Sequence, residues 1–212
     1  MDHTETSHTE TRLWLVRHAP VIGSLGRIYG QDDLEADCTD APAFQALAGF
    51  LPVAPIWVAT QLKRTHQTLA AVHRGRGLDP IQPQIEHDLV EQHFGDWQGL
   101  TYAELDASRD GAYHRFWHAP ATERPPNGES FADVVERVEK ALLRLTLAHA
   151  GQDIVVVAHG GSIRAALAAA LNIEPERALG FSVDNLSVTR LDHIEGKSFG
   201  AAWRVAFVNR RL

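Results

Sequence analysis

The chain has 212 residues, of which 44% are hydrophobic and 22% are charged, a composition typical of a globular protein and not of a disordered or collagen-like one. Its 27 acidic and 20 basic side chains give a formal charge of −7, which argues against a nucleic-acid backbone or an anionic membrane as the main partner. The longest apolar run, residues 165–171, is far shorter than the ~20 residues that a helix needs to cross a bilayer. The single cysteine, Cys38, has no disulfide partner within the chain, and residues 1–12 lack the apolar stretch of a signal peptide. These features favour a cytoplasmic protein.

In chain order, a frayed polar tail over residues 1–11 is expected to precede a single domain over residues 12–212. Unbroken apolar runs between polar residues are typical of strands buried on both faces of a parallel sheet. The predicted elements are strands at 13–16, 56–59 and 154–158, helices at 63–72, 129–149 and 163–171, and two further strands, taken as antiparallel, at 187–194 and 201–208. Strands that alternate with helices predict an α/β fold, here a three-layer α/β/α sandwich with a mostly parallel central sheet.

Two further features lie between the predicted strands at 56–59 and 154–158. The helix at 129–149 has a capping-box sequence at its start, Ser130-x-x-Asp133, and Gly151 after its end. Residues 76–128 are less regular and rich in His, Trp and Gly. We expect this insertion to form a small cap over a site.

The two strongest predicted strands both end in histidine. Arg17-His18 follows the first strand and His159-Gly160-Gly161 follows the strand at 154–158. Because the carboxyl ends of parallel strands meet at one edge of a sheet, His18 and His159 are expected to lie side by side, with Arg64 facing the same edge. A lone strand-end histidine is more often structural, but a pair of them with a preceding arginine indicates a site.

Two arginines and two histidines around one point favour a dianionic, tetrahedral ligand. The arginine fork donates two parallel charge-assisted hydrogen bonds to phosphate. Gly160 permits close approach of the backbone, and the helix that starts there adds N–H groups and a positive dipole end. The sequence therefore predicts a phosphate pocket.

Four motifs in this order resemble the histidine phosphatase superfamily, also called phosphoglycerate-mutase-like. They are Arg17-His18-Ala19, the segment Thr60–Thr68 around Arg64, the acid segment Leu89–Gly99 with Glu91, and Ala158-His159-Gly160-Gly161. The resemblance spans residues 13 to about 190. It implies an enzyme of the α/β class described above, acting on a small-molecule phosphate ester without a cofactor.

The resemblance also implies the roles of the site residues. His18 is the nucleophile that forms a transient phosphohistidine, for which Nε2 must be free and Nδ1–H held by an acceptor such as a backbone carbonyl. Arg17, Arg64 and His159 hold the phosphoryl oxygens. Glu91 gives a proton to the leaving group and then serves as base for the water that hydrolyses the phosphohistidine.

Three further positions are expected to bind substrate. Gly160 lies beside the phosphate, Ser24 stands where the family often has an asparagine, and Arg27 is either a substrate contact or a surface arginine. Ala19 replaces the usual glycine of the first motif. At the start of the long helix, Glu129 and Ser130 are explained equally well by a family role and by helix capping.

A metal site is the alternative raised by His114 and His118, which are four residues apart. The pair lacks the glutamate of the zinc-protease motif, so no metal is expected.

The branch of the family is indicated by several segments. Pro20 and Gln92 stand where mutases carry other residues, and Trp117–Pro120, Pro126–Phe131 and Phe181–Asn185 resemble α-ribazole phosphatases of cobalamin assembly. The expected function is therefore phosphomonoester hydrolysis, with α-ribazole 5′-phosphate as the candidate substrate. The alternatives are a cofactor-dependent phosphoglycerate mutase and a non-catalytic phosphate or phosphoprotein binder. The resemblance also implies a homodimer.

Overall fold

A computed structural model describes residues 9–24, 26–108, 111–196 and 202–212. The strands are β1 (Glu10–Arg17), β2 (Ile56–Ala59), β3 (Gln84–Ile85), β4 (Asp153–Ala158), β5 (Val188–Ile194) and β6 (Trp203–Arg210). The helices are α1 (Ala41–Phe50), α2 (Lys63–Gly75), α3 (Tyr102–Ser108), α4 (Gly111–His118), α5 (Phe131–Ala148), α6 (Gly160–Leu171) and α7 (Pro175–Ala178). Single 3₁₀ turns lie at His87–Leu89 and Gly95–Trp97.

The strands form one six-stranded sheet in the order β3-β2-β4-β1-β5-β6. The first four strands of that order are parallel, whereas β5 and β6 are antiparallel to their neighbours, as the sequence predicted. In the parallel pair of β1 and β4, Arg17 lies opposite Ala158. His18 and His159 therefore leave the sheet at the same level of its carboxyl edge.

Helices cover both faces of the sheet, which confirms the three-layer fold. Ile154 and Val156 of β4 pack against α5 and α6, whereas Val155 and Val157 pack against α1 and α2. All four side chains are fully buried. This two-sided burial is the physical reason that β4 is apolar at successive positions instead of alternating with polar residues.

Several elements differ from the prediction. Residues 1–8 of the expected tail lie outside the described residues, and β1 begins already at Glu10, where Glu10 and Thr11 pair with Ile194 and His193 of β5. Helix α1 was not predicted, although its start has a readable signal. Asp40 accepts a hydrogen bond from the N–H of Ala43 at 3.1 Å, and a proline stands in the first turn.

The insertion over residues 76–128 contributes to the sheet as well as to a cap. Its β3 pairs with β2, so the cap begins only after Ile85. The cap consists of the two 3₁₀ turns, α3 and α4, and it has a small core of its own. That core contains Ile28, Trp97, Leu105 and Tyr113.

Helix α5 supports both the sheet and the cap. It begins with the predicted capping box, since Ser130 Oγ accepts from the N–H of Asp133 at 3.2 Å and the Asp133 carboxylate accepts from the N–H of Ser130 at 2.8 Å.

None of the helices in the described ranges combines the length and the apolar character that crossing a bilayer requires.

Helix α5 also allows a matched test of the core. We expect Leu145→Ala to lower the free energy of unfolding by about 2–5 kcal/mol, because this fully buried side chain leaves a cavity between helix and sheet. The same substitution at Leu147, which is 76% exposed, should change it by less than about 0.5 kcal/mol. Urea unfolding of the two variants checks the difference, and equal losses would contradict the assigned packing.

Candidate active site

His18 directly follows β1 at the carboxyl edge of the sheet, and its side chain is fully buried. Nδ1 donates to the carbonyl oxygen of Ala19 at 2.6 Å, because a carbonyl only accepts. The ring therefore carries its proton on Nδ1 and has a lone pair on Nε2. Nε2 is buried and makes no hydrogen bond with the described residues. This is the tautomer that the sequence analysis required of a nucleophile.

His159 lies beside His18, with 5.1 Å between the ring centroids. Arg64 Nε donates to His159 Nδ1 at 3.3 Å, so the ring proton lies on Nε2 and is donated to Thr60 Oγ1 at 2.9 Å. The two histidines and Arg64 thus meet as predicted. Sequence reasoning gave Thr60 no role of its own, although its position directly after β2 was a usable signal for the same edge.

Arg64 is fully buried and is held by backbone carbonyls. Its Nη1 donates to Asp32 O and its Nη2 to Gly30 O, both at 2.6 Å, and its guanidinium lies 5.2 Å from the ring centroid of Tyr29. These bonds and the bond to His159 use three of the five N–H groups of an arginine. The other two have no hydrogen-bond acceptor among the described residues.

Burial and nearby cations keep both histidines neutral. Burial, followed by the positive charges of Arg64 and Arg17, lowers the pKa of His18 to about 3. Burial also lowers the pKa of His159 well below its ordinary value, and His18, Arg64, Arg137 and Arg17 lower it further, in that order. At neutral pH the Nε2 lone pair of His18 is therefore available.

Arg17 and the loop before β5 fix the end of β1. Arg17 Nη1 donates to Val183 O at 2.6 Å, while Arg17 Nε is buried and unpartnered among the described residues. Asn185 Nδ2 donates to His18 O at 2.8 Å, and the N–H of Leu186 donates to Arg17 O at 3.0 Å. Leu186 has a positive φ of 60°, which is uncommon for a bulky residue. This loop holds the main chain that carries Arg17 and His18.

Glu91 reaches the same edge from the cap. Its Oε1 accepts from the N–H of Gly161 at 2.9 Å and from the N–H of Gln92 at 3.0 Å. A side chain at Gly161 would overlap Glu91 Oε1, so this close approach requires glycine. The carboxylate thus lies against the amino end of α6, one residue from the Gly160 that follows His159.

The three predicted substrate contacts have different surroundings. Gly160 lies beside the guanidinium of Arg17, since a Cβ there would be 3.5 Å from Arg17 Nε. Ser24 accepts through its carbonyl from the N–H of Arg27 at 2.7 Å. Arg27 is exposed and its Nη1 lies 3.2 Å from Glu104 Oε2 of α3. Gly160 thus lies next to Arg17, whereas Arg27 pairs with the cap and also lines a small cavity that Glu91 borders.

His114 and His118, the pair considered as metal ligands, lie on α4. His118 is exposed, and the side chain of His114 lies outside the described part of the structure. Within the described ranges, no three His, Cys, Asp or Glu side chains are grouped so that they could hold a metal ion.

A cavity of about 350 Å³ opens beside Glu91, between the cap and α6. Its walls are mostly apolar and aromatic, and they include Ile28, Phe94, Trp97, Tyr113, Phe116 and Leu179. Arg164 of α6 is the cation in this lining, and its Nε donates to Phe181 O at 2.7 Å. Burial lowers the pKa of Arg164, and the nearby Glu91 carboxylate opposes that shift. Among the described residues, Arg164 has no carboxylate within ion-pair distance.

Residues 13–206 match the histidine phosphatase superfamily, branch 1. The chain belongs to this superfamily. A glucosyl-3-phosphoglycerate phosphatase of Mycolicibacterium vanbaalenii is 36% identical over 84% of this chain and 78% of its own length. A bifunctional protein of Mycobacterium tuberculosis is also 36% identical, over 77% of this chain, and the chain spans only 45% of that longer relative.

A solved structure extends the comparison. A candidate α-ribazole phosphatase from Escherichia coli is 26% identical and superimposes with a TM-score of 0.78, covering 95% of this chain and 97% of its own. Two of these three relatives are named as phosphatases.

The lowered pKa of His18 has a measurable effect on stability. Between pH 6.5 and about 3 the unfolded chain binds a proton at His18 that the folded chain does not bind, so the free energy of unfolding falls as the pH falls. This residue should contribute a slope of about 1.4 kcal/mol per pH unit. Urea unfolding between about pH 4.5 and 6 checks this, because in that range the His18 imidazole binds a proton in the unfolded chain and not in the folded one. His18→Asn should show a shallower slope than the wild type, and identical slopes would contradict the assignment.

Proposed function

We propose that the chain is a phosphomonoester hydrolase that works through a phosphohistidine at Nε2 of His18. The observation that carries this proposal is a pair of buried polar atoms, His18 Nε2 and Arg17 Nε, which are unpartnered among the described residues. A lone pair beside a free cationic N–H suits attack on an electrophilic phosphorus whose oxygens are negatively charged. The adjacent Arg64 supplies a second cation.

The reaction has two steps. The lone pair of His18 Nε2 forms a bond to phosphorus while the bond from phosphorus to the leaving oxygen breaks, and Glu91 gives its proton to that oxygen. A water then attacks phosphorus, Glu91 takes the proton of that water, and the bond between nitrogen and phosphorus breaks. Inorganic phosphate and the alcohol are the products. Arg17 and Arg64 neutralise the charge of the phosphoryl oxygens in both steps.

His159 has a double role in this proposal. In the arrangement described above, both ring nitrogens bind protein groups, so His159 orients Arg64. A bound phosphoryl dianion favours the protonated imidazolium. Nδ1 then gives up the bond from Arg64 Nε, and its N–H donates to a phosphoryl oxygen.

The apolar cavity beside Glu91 is where the leaving group would lie. Its aromatic walls favour an apolar or aromatic ring over a polyhydroxylated sugar, since a sugar would lose hydrogen bonds to water there. α-Ribazole phosphate carries a benzimidazole ring and fits this requirement, and a place in cobalamin assembly would follow from it. The likeness to the Escherichia coli structure supports the same substrate.

Arg164 favours a second candidate. A half-buried guanidinium in the cavity wall suits a leaving group that carries a carboxylate, as phosphoglycerate derivatives do. The mycobacterial relative named for glucosyl-3-phosphoglycerate belongs to this class.

The hydrolase proposal is tested with para-nitrophenyl phosphate in the presence of a chelator. We expect turnover by the wild type, loss by at least about a thousandfold in His18→Ala, and little change in His118→Ala, the exposed histidine control. The wild type quenched during turnover should carry an acid-labile, base-stable phosphoryl group, as a phosphohistidine does. Unchanged turnover in His18→Ala overturns the nucleophile. Isomerisation of phosphoglycerate without hydrolysis would show a mutase, and phosphate binding without either reaction would show a binder.

The two substrate classes are separated by Arg164→Gln. With a phosphoglycerate derivative as the true substrate, kcat/KM should fall about ten- to hundredfold, because the carboxylate loses its charged partner. For α-ribazole phosphate, which has no carboxylate, the change should be less than about threefold. The measurement is the ratio of kcat/KM for the phosphoglycerate derivative to kcat/KM for α-ribazole phosphate, determined by steady-state kinetics in the wild type and in Arg164→Gln. An equal loss for both substrates would contradict a role of Arg164 in specificity.

A further inference from the structure

Glu129, just before α5, takes no part in the steps above, yet its carboxylate is firmly engaged. It forms a two-pronged ion pair with Arg137, with 3.0 Å from Arg137 Nε to Oε2 and 2.8 Å from Arg137 Nη2 to Oε1. The N–H of His93 also donates to Oε1 at 2.8 Å. The two charged side chains are largely buried, with exposed fractions of 21% for Glu129 and 18% for Arg137.

The same arginine binds the main chain that carries Glu91. Arg137 Nη1 donates to Asp88 O at 2.6 Å, and Nη2 donates to Glu91 O at 3.1 Å. On the other side of Glu91, the Gln92 side chain donates to Glu129 O at 2.9 Å. The loop before and after Glu91 is therefore fastened to the start of α5.

This fastening matters because no helix or strand holds the segment from residue 90 to residue 94. The Glu91 carboxylate accepts from the N–H of Gly161 on α6 and from that of its own neighbour Gln92. Proton transfer requires the carboxylate within hydrogen-bond reach of the leaving oxygen, and a displacement of about 1 Å can cost a hundredfold in rate.

Helix capping does not account for Glu129. The N–H groups at the start of α5 are served by the capping box of Ser130 and Asp133. The Glu129 carboxylate instead binds Arg137 and the N–H of His93, which belongs to the loop of Glu91.

We propose that Glu129 and Arg137 are positioning residues that set the carboxylate of Glu91 for proton transfer to the leaving group. This inference rests on the proposed function, because it assigns the proton donor to Glu91. The ion pair with Glu129 holds the Arg137 guanidinium in place. The guanidinium in turn holds the carbonyl oxygens of Asp88 and Glu91.

The test compares two phosphates that differ in their need for a proton. The leaving group of para-nitrophenyl phosphate departs as the stable phenolate and needs no proton. The benzyl oxygen of para-nitrobenzyl phosphate must be protonated as it leaves. The rate of His18 phosphorylation is measured by rapid quench, so that the later hydrolysis step does not enter. In Glu129→Gln and Arg137→Lys the benzyl ester should react about tenfold more slowly or worse, and the phenyl ester less than about threefold more slowly.

Arg144→Gln is the matched control. Arg144 lies on the same helix and pairs with the side chains of Glu86 and Asp88, but it is 49% exposed and, in the described part of the chain, does not bind the main chain at Glu91. It should leave the ratio of the two rates unchanged. A lower fraction of folded enzyme reduces both rates by one factor, so the ratio separates positioning from stability.

A double variant completes the test. If Glu129 acts through Glu91, then Glu129→Gln should have little effect on the rate ratio in a Glu91→Gln background. An unchanged ratio in Glu129→Gln, or one that shifts equally in both backgrounds, overturns the positioning role while leaving the hydrolase proposal intact. An unchanged ratio in Glu91→Gln alone overturns the proton donor, and with it this inference.

Discussion

The parallel register of β1 and β4 is the constraint on which the site depends. Arg17 pairs with Ala158. The residues that follow these two, His18 and His159, therefore leave the sheet at the same edge. The sheet is buried on both faces, so neither strand can slip by a residue without turning apolar side chains toward the wrong layer. The distance between the two histidines is therefore set by the core of the domain.

Burial at this edge disfavours the charged form of the histidines and of Arg64 alike, because it lowers the pKa of each. Desolvation keeps His18 neutral and therefore nucleophilic, with a pKa lowered to about 3. Arg64 stays charged because backbone carbonyls of Gly30 and Asp32 solvate its guanidinium. The carboxylates of Glu91, Asp33 and Asp32 also oppose the lowering of the Arg64 pKa. A chain of net charge −7 thus retains a local site for an anion.

The carboxyl edge of the sheet and the cap contribute different parts of the site. Strand ends and the start of α6 provide rigid positions for the groups that contact phosphorus, whereas the cap provides Glu91 and the apolar cavity. A scaffold of this kind allows the leaving group to vary with the cap while the chemistry stays constant. The Glu129–Arg137 pair spans this boundary, because it joins the loop of Glu91 to a helix that packs against the sheet.

Sequence patterns alone predict the buried strands, their parallel arrangement, the capping box at Ser130 and the meeting of His18, Arg64 and His159. Those features follow from local patterns and from the rule that parallel strands end at one edge. Helices α1, α3, α4 and α7 and the two-residue β3 were not predicted, although Asp40 and the following proline are a readable signal for the start of α1. Only the tertiary structure decided the rest: which carbonyls hold Arg64, which side chains line the cavity, and the link from Glu129 to Glu91. The physical reason is that these contacts join distant segments, often through backbone atoms that every residue carries, so that no residue type marks them in the sequence.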